Sequence, residues 1–298
     1  MNRKRPRIAV IGSTNVDFCS YVARLPQAGE TIGNGVFMQA NGGKGANQAV
    51  AARRLGADVS FICKVGRDIF GDNAISGYQK EGIDCSRILR SDKASGTALI
   101  LVDGNAENCI AVAPGANADL TPEDVDSVAD VIRSADYLIL QLEIPVESVL
   151  RAAKIAHEAG VYVILNPAPA CHLPEELFGY ISLITPNQTE SALLSGVGDN
   201  LDAAVEKLMQ LGVKDVVVTL GSKGSLVISE GAKTLVPSLK VKAVDTTAAG
   251  DTFCGALCVA LSEGCSLVDA AGFATKASAL TVQKMGAQDS IPFRSDIK

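Results

Sequence analysis

The sequence predicts an α/β protein whose mainly parallel sheet is covered by helices on both faces. From about residue 120 onward, short apolar runs alternate with longer amphipathic segments, as expected for repeated strand–helix units. Glycines such as Gly160 and Gly212 directly follow the amphipathic segments and mark helix ends. The chain has 298 residues, 47% of them hydrophobic and 20% charged, so one large domain with a small appendage can bury a sizeable core.

The first third of the chain carries β signals that do not fit this alternation. Its β-rich segments are 7–11, 31–40, 97–102 and 108–113. The turn Asp103-Gly104-Asn105 separates the last two runs and predicts a hairpin. Between the β segments we expect helices over 46–55 and 73–80, since Gly56 and Gly82 would end them.

The later elements follow in the alternating order. Thr121 and Pro122 begin a helix, because threonine caps helix starts and proline suits the first helical position. Strands are expected at 137–142, 161–165, 181–185, 215–220, 224–229, 234–236 and 240–244, and helices at 146–159, 202–211, 251–262 and 268–283.

We expect the early β segments to form a separate small sheet over the carboxyl ends of the main strands, where open α/β sheets bind ligands. This discontinuous lid would take residues 15–40 and 94–116. The main domain would then comprise 1–14, 41–93 and 117–298. An antiparallel extension of the main sheet is the alternative arrangement.

Composition and charge disfavour several classes of function. Lys and Arg number 27 against 33 Asp and Glu, and the net charge of −6 disfavours nucleic-acid binding. No apolar run reaches the ~18 residues of a membrane helix, so we expect a soluble cytoplasmic protein without a membrane partner. The eight cysteines form no C-x-x-C pair and only two histidines are present, which argues against a zinc site, a histidine-ligated metal and a Ser-His-Asp hydrolase.

The segment 245–251, Asp-Thr-Thr-Ala-Ala-Gly-Asp, joins an expected strand to an expected helix. The small residues Ala248, Ala249 and Gly250 allow a ligand to approach closely, and amides at a helix start suit an anion such as a phosphate. A carboxylate repels phosphate but suits a general base, so Asp251 can deprotonate a hydroxyl that attacks the phosphate. The alternative is a tight turn with Asp251 as a helix cap.

Two polar clusters in the N-terminal part of the chain suit hydroxyl groups. The segment 41–47, Asn-Gly-Gly-Lys-Gly-Ala-Asn, brings Lys44 and Asn47 to a helix start, without the spacing of a Walker A loop. Asn15 and Asp17 follow the first strand and share one side of an extended chain, where an amide and a carboxylate can grip adjacent sugar hydroxyls. A simple glycine-rich turn and an Asx-type turn are the respective alternatives.

Two later loops suit a nucleotide. Asn187 and Glu190 are three residues apart, so they would meet on one helix face and order waters around a Mg²⁺ ion. The loop 219–224, Thr-Leu-Gly-Ser-Lys-Gly, places glycines and a lysine after a strand, where they suit nucleotide phosphates. An exposed helical pair and an ordinary turn are the respective alternatives.

Together these loops resemble the PfkB carbohydrate kinase family, and most of all its members that phosphorylate ribose. The resemblance runs from about residue 8 to 292 and rests on Gly-Gly-Lys-Gly-Ala-Asn at 42–47, Asn-x-x-Glu at 187–190 and Asp-Thr-x-x-Ala-Gly-Asp at 245–251. It implies a Rossmann-like three-layer sandwich with a small β-sheet lid, a homodimer formed through the lid, and ATP-dependent phosphorylation of the primary hydroxyl of a sugar.

The resemblance also implies roles for individual residues. Asp251 would be the base, and Ala248, Ala249 and Gly250 would line the anion hole. The implied sugar ligands are Asn15, Asp17, Gly43, Lys44, Asn47, Glu143 and Asp251. The implied nucleotide ligands are Asn187, Glu190, Thr219, Gly221, Ser222, Lys223, Gly224 and Gly250, with Asn187 and Glu190 reaching Mg²⁺ through water. The implied ligands of a K⁺ ion beside the anion hole are Asp245, Thr247, Thr281, Lys284, Gly286 and Ser290.

Two positions refine these expectations. Many family members carry glycine where this chain has Ala248, and alanine would be strained there if the position needs a positive φ. The Asn15 amide can reach the hydroxyl that 2-deoxyribose lacks, and a site built for a hydroxyl discriminates against its absence. We therefore expect transfer to the 5-hydroxyl of D-ribose, with 2-deoxyribose as the main alternative substrate and a nucleoside or hexose kinase behind it.

Two further alternatives lie outside the kinases. A catalytically silent sugar sensor can use the same fold, but the intact Asp251 beside the anion loop argues against a pure binder. A dehydrogenase is disfavoured because no G-x-G-x-x-G follows the first strand.

Overall fold

The computed structural model describes residues 5–105 and 107–298, which form fourteen strands and ten helices. The strands are β1 (Arg7–Ile11), β2 (Asn15–Tyr21), β3 (Val36–Gly42), β4 (Asp58–Ile62), β5 (Lys64–Gly66), β6 (Leu89–Ser91), β7 (Gly96–Val102), β8 (Asn108–Ala113), β9 (Tyr137–Leu140), β10 (Tyr162–Leu165), β11 (Leu183–Ile184), β12 (Asp215–Thr219), β13 (Ser225–Ser229) and β14 (Ala232–Val236). The helices are α1 (Lys44–Arg54), α2 (Ile69–Glu81), α3 (Pro122–Ser127), α4 (Ala129–Ser134), α5 (Val146–Glu158), α6 (Glu175–Phe178), α7 (Gln188–Ser195), α8 (Leu201–Gln210), α9 (Ala249–Ser262) and α10 (Leu267–Thr281). Within the described ranges, none of these helices is long and apolar enough to cross a bilayer.

The main sheet contains eight strands in the order β14-β13-β12-β11-β10-β9-β1-β4. Strands β4, β1, β9, β10, β11 and β12 pair in parallel, and β13 and β14 are added antiparallel at one edge. The carboxyl ends of the parallel strands therefore open onto one side of the sheet. The predicted α/β class with a mainly parallel sheet is confirmed.

Apolar side chains alternate between the two faces of the buried strands. In β1, Ile8 and Val10 face one core layer, and Ala9 and Ile11 face the other. Helices α1, α2, α9 and α10 cover the first layer, while α3, α4, α5 and α8 cover the second. This packing on both faces fixes the loops at the carboxyl ends of the strands.

A second, four-stranded sheet has the order β3-β2-β7-β8. Strands β7 and β8 pair antiparallel, with Thr97 opposite Ala113, which confirms the predicted hairpin. Strand β3 continues to Gly42, past the expected lid boundary at residue 40. The division of the chain into a main domain and a lid of residues 15–40 and 94–116 stays a prediction.

The predicted strand at 240–244 is wrong, since the described chain forms no strand there. The chain leaves the sheet after β14 at Pro237, which has no amide hydrogen to continue a ladder. The Val244 amide instead donates to the Val282 carbonyl (2.7 Å). The segment before α9 is thus anchored to the end of α10 and not to the sheet.

The predicted β segment at 31–40 is wrong in its first half. Asn34 has a φ of 60°, which interrupts an extended backbone, and β3 begins only at Val36. Helix α2 starts four residues earlier than expected, at Ile69, and α1 and α9 each start two residues earlier, at Lys44 and Ala249. The N-caps of α1 and α9 are Gly43 and Ala248, which carry no side-chain oxygen that could mark a helix start.

Candidate active site

Loops at the carboxyl ends of the main strands and the second sheet enclose a cleft of about 420 Å³. The second sheet contributes Ala98, Ile100, Ile110 and Val112 to its wall. The predicted site residues that line this cleft are Asn15, Asp17, Gly43, Lys44, Asn47, Glu143, Asn187, Glu190, Thr219, Thr247, Ala248, Ala249, Gly250 and Asp251. The fold thus brings together motifs that lie far apart in the sequence.

A second cleft, of about 340 Å³, adjoins the first at the start of α9. Both clefts are lined by Thr219, Thr246, Ala249 and Gly250. The second cleft also contains the predicted residues Gly221, Ser222 and Gly224, and its apolar wall is made by Leu239, Val241, Ala243, Phe253, Ala279 and Val282. Lys223 is exposed in the turn Gly221–Lys223 and is not among the residues that line this cleft.

Gly43 and Glu143 hold the start of α1 close to the loop after β1. Gly43 has a φ of 91°, and a Cβ there would lie 2.7 Å from the Thr14 Cα, so only glycine fits. The Glu143 carboxylate accepts hydrogen bonds from the Lys44 amide (2.9 Å) and the Ser13 hydroxyl (2.5 Å). Glu143 therefore links the loop after β9 to the loop after β1 and to the start of α1.

The Lys44 side chain is a half-buried cation among carboxylates. Burial by itself lowers its pKa, but the charges of Asp251, Glu143 and Glu190 outweigh burial and raise the pKa above its ordinary value. Burial raises the pKa of Asp17 to about 6, and the Glu143 charge adds to the effect. Burial also raises the pKa of Glu190. The cleft therefore holds one protonated cation and several carboxyl groups with a reduced tendency to ionise.

Asp251 lies in the first turn of α9, and its side chain is buried. The Asn47 Nδ2 donates to one carboxylate oxygen (2.9 Å) and the Gln48 Nε2 donates to the other (3.0 Å). Burial raises the pKa of Asp251, while the Lys44 charge and the two amide donors work in the opposite direction. Because Ala248 is the N-cap of α9, Asp251 is not a helix cap.

Asn47 also carries a buried atom that lacks a partner. Its Oδ1 makes no hydrogen bond within the described chain. A buried acceptor without a donor costs about 1–3 kcal/mol. Since Asn47 lines the cleft, the hydroxyl of a bound ligand can supply the missing donor.

Asn117, which sequence reasoning missed, sets the orientation of the Asn15 amide. It lies in the short turn Gly115–Asp119 that follows β8. Its Oδ1 accepts from the Thr14 amide (3.0 Å), so its Nδ2 is the atom that donates to the Asn15 Oδ1 (2.7 Å). The Asn15 Nδ2 is thereby left as a hydrogen-bond donor in the wall of the cleft.

The start of α9 has the geometry expected of an anion site. Ala248 has a φ of 59° and a ψ of 7°, which confirms the left-handed conformation that would strain an alanine. The Ala249 amide donates to the Thr246 carbonyl (3.2 Å). The amides of Gly250 and Asp251 lie in the first helical turn, where a helix offers no acceptor. These amides and the helix dipole suit a phosphate.

Asn187 and Glu190 meet as a capping box at the start of α7. The Glu190 amide donates to the Asn187 Oδ1 (2.8 Å), and the Asn187 amide donates to the Glu190 carboxylate (2.8 Å). The prediction of a pair on the helix face is wrong, because Asn187 is the extended N-cap residue and lies outside the helix. Both side chains nevertheless line the cleft.

Asp245 connects the two segments that carry the predicted K⁺ ligands, 245–247 and 281–290. One carboxylate oxygen accepts from the Thr247 amide (2.9 Å) and hydroxyl (2.6 Å). The other accepts from the Gly286 amide (2.9 Å). The remaining predicted ligands of this set are Thr281, Lys284 and Ser290. Carboxylate, hydroxyl and main-chain oxygens are donors that suit a hard cation.

Sequence reasoning also missed the side-chain amides behind Asp251. Gln141 and Asn166 directly follow the neighbouring strands β9 and β10, and Gln48 follows Asn47 in α1. The Gln141 Nε2 donates to the Gln48 Oε1 (2.7 Å), and the Gln48 Nε2 donates to the Asn166 Oδ1 (3.1 Å). The available signal was positional, since residues at the carboxyl ends of adjacent parallel strands meet at one edge.

The chain belongs to the PfkB family of carbohydrate kinases, because the family model described as "pfkB family carbohydrate kinase" matches residues 5–294. A ribokinase of Staphylococcus aureus is 42% identical over 298 residues, which cover 98% of each chain. A deoxyribokinase of Salmonella typhi is 38% identical over 293 residues, which cover 96% of this chain and 95% of that one.

The solved structures agree with this assignment. The structure of an Arabidopsis thaliana ribokinase complexed with ribose and ATP matches with a TM-score of 0.92 at 34% identity, covering 99% of this chain and 98% of that one. The predicted family, the Rossmann-like α/β fold with its small second sheet, and the enzyme class of sugar phosphotransferase are therefore confirmed.

Proposed function

We propose that the protein transfers the γ-phosphoryl group of ATP to the 5-hydroxyl of D-ribose. The observation that carries the proposal is the position of the Asp251 carboxylate. It lies beside Ala249 and Gly250, where the first and second clefts meet. A sugar in the first cleft and a nucleotide in the second would meet at this carboxylate. The names of the relatives, ribokinases among them, support ribose as the sugar.

The polar groups of the first cleft suit a sugar with several hydroxyls. Asn15 offers a nitrogen donor, while Asp17 and the unpartnered Asn47 Oδ1 offer acceptors. Each sugar hydroxyl both donates and accepts, so adjacent hydroxyls can satisfy this mixed set. Gly43, Lys44 and Glu143 complete the proposed sugar ligands.

Asp251 acts as the general base in this proposal. It takes the proton of the 5-hydroxyl while that oxygen bonds to the γ-phosphorus and the bond from phosphorus to the β–γ bridging oxygen breaks. The anion hole at 248–250 and the amide of Asp251 stabilise the charge on the phosphoryl oxygens, because these dipoles are already in place. The loop residues Thr219, Gly221, Ser222 and Gly224, which line the second cleft, hold the nucleotide.

The oxygen donors described above fit the two cations that the family resemblance implies. Asn187 and Glu190 would hold Mg²⁺ through water, and the segments 245–247 and 281–290 would hold K⁺. When bound, Mg²⁺ would neutralise charge on the nucleotide phosphates and K⁺ would add positive charge near the start of α9. The protein side chains and amides named above perform the remaining steps.

We also propose a homodimer formed through the second sheet. Val36, Ile110 and Val112 lie on one face of this sheet, as the strand pairing shows, and are exposed at 52% or more of their surface. A second copy of the chain would cover these side chains, since monomers rarely expose a large apolar patch. We expect Val36→Lys, at a position that does not line the cleft, to give a monomer by light scattering at a concentration where the unaltered protein is a dimer, and an unchanged dimer would contradict this interface.

We infer a reducing, cytoplasmic location for the protein from its cysteines. All eight are free thiols, and four of them are buried: Cys19, Cys63, Cys254 and Cys258. Unpaired thiols in this number are typical of a reducing compartment.

The direct test measures ADP release from MgATP with D-ribose, with 2-deoxyribose and without sugar, all with K⁺ present. We expect release that strongly favours ribose. A preference for 2-deoxyribose would instead match the deoxyribokinase relative. No release above the sugar-free blank with either sugar would remove both substrates and favour another sugar, a nucleoside or a sugar sensor.

A further inference from the structure

We propose that Gln48 is a positioning residue that keeps the Asp251 carboxylate ionised and fixed, and that Gln141 supports Gln48 at the other end of its amide. The inference rests on the proposed function, in which Asp251 is the base. Gln48 itself touches neither cleft wall and acts only through Asp251.

The hydrogen bonds of this network can run in only one direction. The Thr185 carbonyl can only accept, so the Asn166 Nδ2 donates to it (3.0 Å) and the Asn166 Oδ1 faces Gln48. Gln48 must therefore present its Nε2 to Asn166, and the second hydrogen of that nitrogen points to the Asp251 carboxylate (3.0 Å). The Thr185 carbonyl, acting through Asn166, thus determines which atom of the Gln48 amide is the nitrogen that faces Asp251. The carboxylate does not determine it.

Gln141 supports the other end of the Gln48 amide. Its Nε2 donates to the Gln48 Oε1 (2.7 Å), while its own Oε1 is buried without a partner in the described chain. A Cβ on Gly12 would lie 1.9 Å from this Oε1, so the side chain is packed tightly against the loop after β1. Gln141 keeps this orientation although one of its atoms is unsatisfied, because turning it would leave the Gln48 Oε1 without a donor.

The charges around Asp251 act in both directions on its pKa, so the hydrogen-bond donors are needed to favour the ionised carboxylate. Lys44 of α1 is the cation that faces it, and the acidic groups that face it are Glu143 after β9 and Glu190 of α7. Cys254 on its own helix is a buried neutral thiol, because burial raises the pKa of that thiol to about 12. Asn47 and Gln48 supply the two hydrogen bonds that favour the ionised carboxylate, one on each oxygen.

Loss of the Gln48 donor should therefore raise the pKa of Asp251 and free one carboxylate oxygen. A base that is protonated cannot accept the hydroxyl proton, so turnover falls as the pH drops through its pKa. Removal of one charge-assisted hydrogen bond shifts that pKa by about one unit, which is about tenfold in turnover on the acid side.

The experiment measures kcat, KM for ribose and thermal stability from acid to neutral pH in Gln48→Met, Gln48→Glu and Gln141→Met. Methionine keeps the length of glutamine without a donor, and glutamate keeps its shape but adds a negative charge. Ser148→Ala is the control, because it also removes a buried hydrogen bond, from the Ser148 hydroxyl to the Leu120 carbonyl (2.7 Å), in the opposite core layer.

We expect the acid limb of kcat to move to higher pH in the order Gln141→Met, Gln48→Met, Gln48→Glu, with KM for ribose changed less than about twofold. Ser148→Ala should keep the limb of the unaltered protein. If Gln48→Met and Gln48→Glu lower the thermal stability but keep that limb, the positioning role is wrong. If Gln48→Met does not fold, an unmoved limb in Gln141→Met overturns the inference equally.

Failure of the proposed function gives a different result. If the unaltered protein does not phosphorylate ribose, the carboxyl resonance of Asp251 can still be titrated by carbon NMR, with Asp251→Asn identifying the signal. A higher pKa in Gln48→Met supports the inference without any substrate, and an unchanged pKa overturns it.

Discussion

Asn117 holds the Asn15 side chain so that its nitrogen, and not its oxygen, is available in the cleft. Asn47 is held in the reverse sense, since its nitrogen binds Asp251 and its oxygen lacks a partner. At the scale of residues, the proposed recognition of a sugar thus depends on which atom of each amide is already used. Methionine or leucine at either position would keep the shape of the cleft but remove this pattern.

The Asn15 donor is the basis of the first prediction. In Asn15→Met, the ratio of kcat/KM for ribose to kcat/KM for 2-deoxyribose should fall by about tenfold or more, because the donor for the additional hydroxyl is lost. Asn200→Met, at the exposed N-cap of α8, is the control and should keep the ratio. An unchanged ratio in Asn15→Met would remove Asn15 from the discrimination.

The Asp251 carboxylate is the basis of the second prediction. Asp251→Asn should lower kcat by about 10²–10⁴-fold, since the general base is lost while the shape is kept. Ribose binding, measured by calorimetry, should change little, and the exposed Asp202→Asn should behave as the unaltered protein. Unchanged turnover in Asp251→Asn would show that another group accepts the proton.

Sequence reasoning identified the charged residues of the cleft better than the amides that orient them. Asp251 and Lys44 stand in motifs with a recognisable chemistry, Glu143 was implied by the family resemblance, and the structure brings the three together. Gln48 and Asn117 have no such signal, because an amide is informative only when the partner of each atom is known.

The start of α9 illustrates the scale of elements. Its N-cap, Ala248, is left-handed and offers no side-chain cap, so the first amides of the helix are not covered by a polar side chain. A serine or aspartate cap would stabilise the helix but would compete with a bound anion for these amides. The strained alanine therefore keeps the helix start open.

Ala248 gives the third prediction. Ala248→Gly should raise the free energy of unfolding by about 1 kcal/mol, because glycine adopts the left-handed conformation without strain. Ala249→Gly, one residue further and inside the helix, should lower it by about 0.5–1 kcal/mol. Urea unfolding measures both, and a loss of stability in both variants would contradict the strain at Ala248.

Elements with a local signal in their own residues could be predicted from the sequence. Elements that depend on a neighbouring strand or on the exact start of a helix could not. The hairpin of β7 and β8 follows from its turn, and the cap at Thr121 forms as expected. The segment 240–244 has the residues of a strand but no neighbouring edge after Pro237. The Asn187–Glu190 pair has helical spacing, yet the helix begins between its members.

At the scale of the whole molecule, the cleft is assembled at a cost in stability. Asp17 is held partly buried next to Glu143, which raises its pKa to about 6. In the unfolded chain the same carboxyl has a pKa of about 3.9. As the pH rises between these values, the unfolded state loses the proton first, so the contribution of Asp17 to stability falls through this window and stays low above it.

The fourth prediction follows from this linkage. At neutral pH, Asp17→Asn should be more stable than the unaltered protein by about 1–3 kcal/mol, and the difference should vanish below the pKa of the unfolded aspartate. Denaturant unfolding at several pH values measures this. Sugar affinity should fall in the same variant, since an amide oxygen is a weaker acceptor for a hydroxyl than the carboxylate it replaces. An equal stability at all pH values would show that the Asp17 carboxyl is well solvated.

The contact between Gln48 and Asp251 joins residues that are 203 positions apart in the chain. A ribosome makes the glycine-rich loop early and Asp251 only after most of the chain has been synthesised. Strand β1 is the second strand from one edge of the main sheet, between β9 and β4, and both of these partners are synthesised after it. The nascent chain therefore passes through a long interval without any catalytic apparatus. The first appearance of turnover in a refolding or translation reaction would report the closing step of assembly.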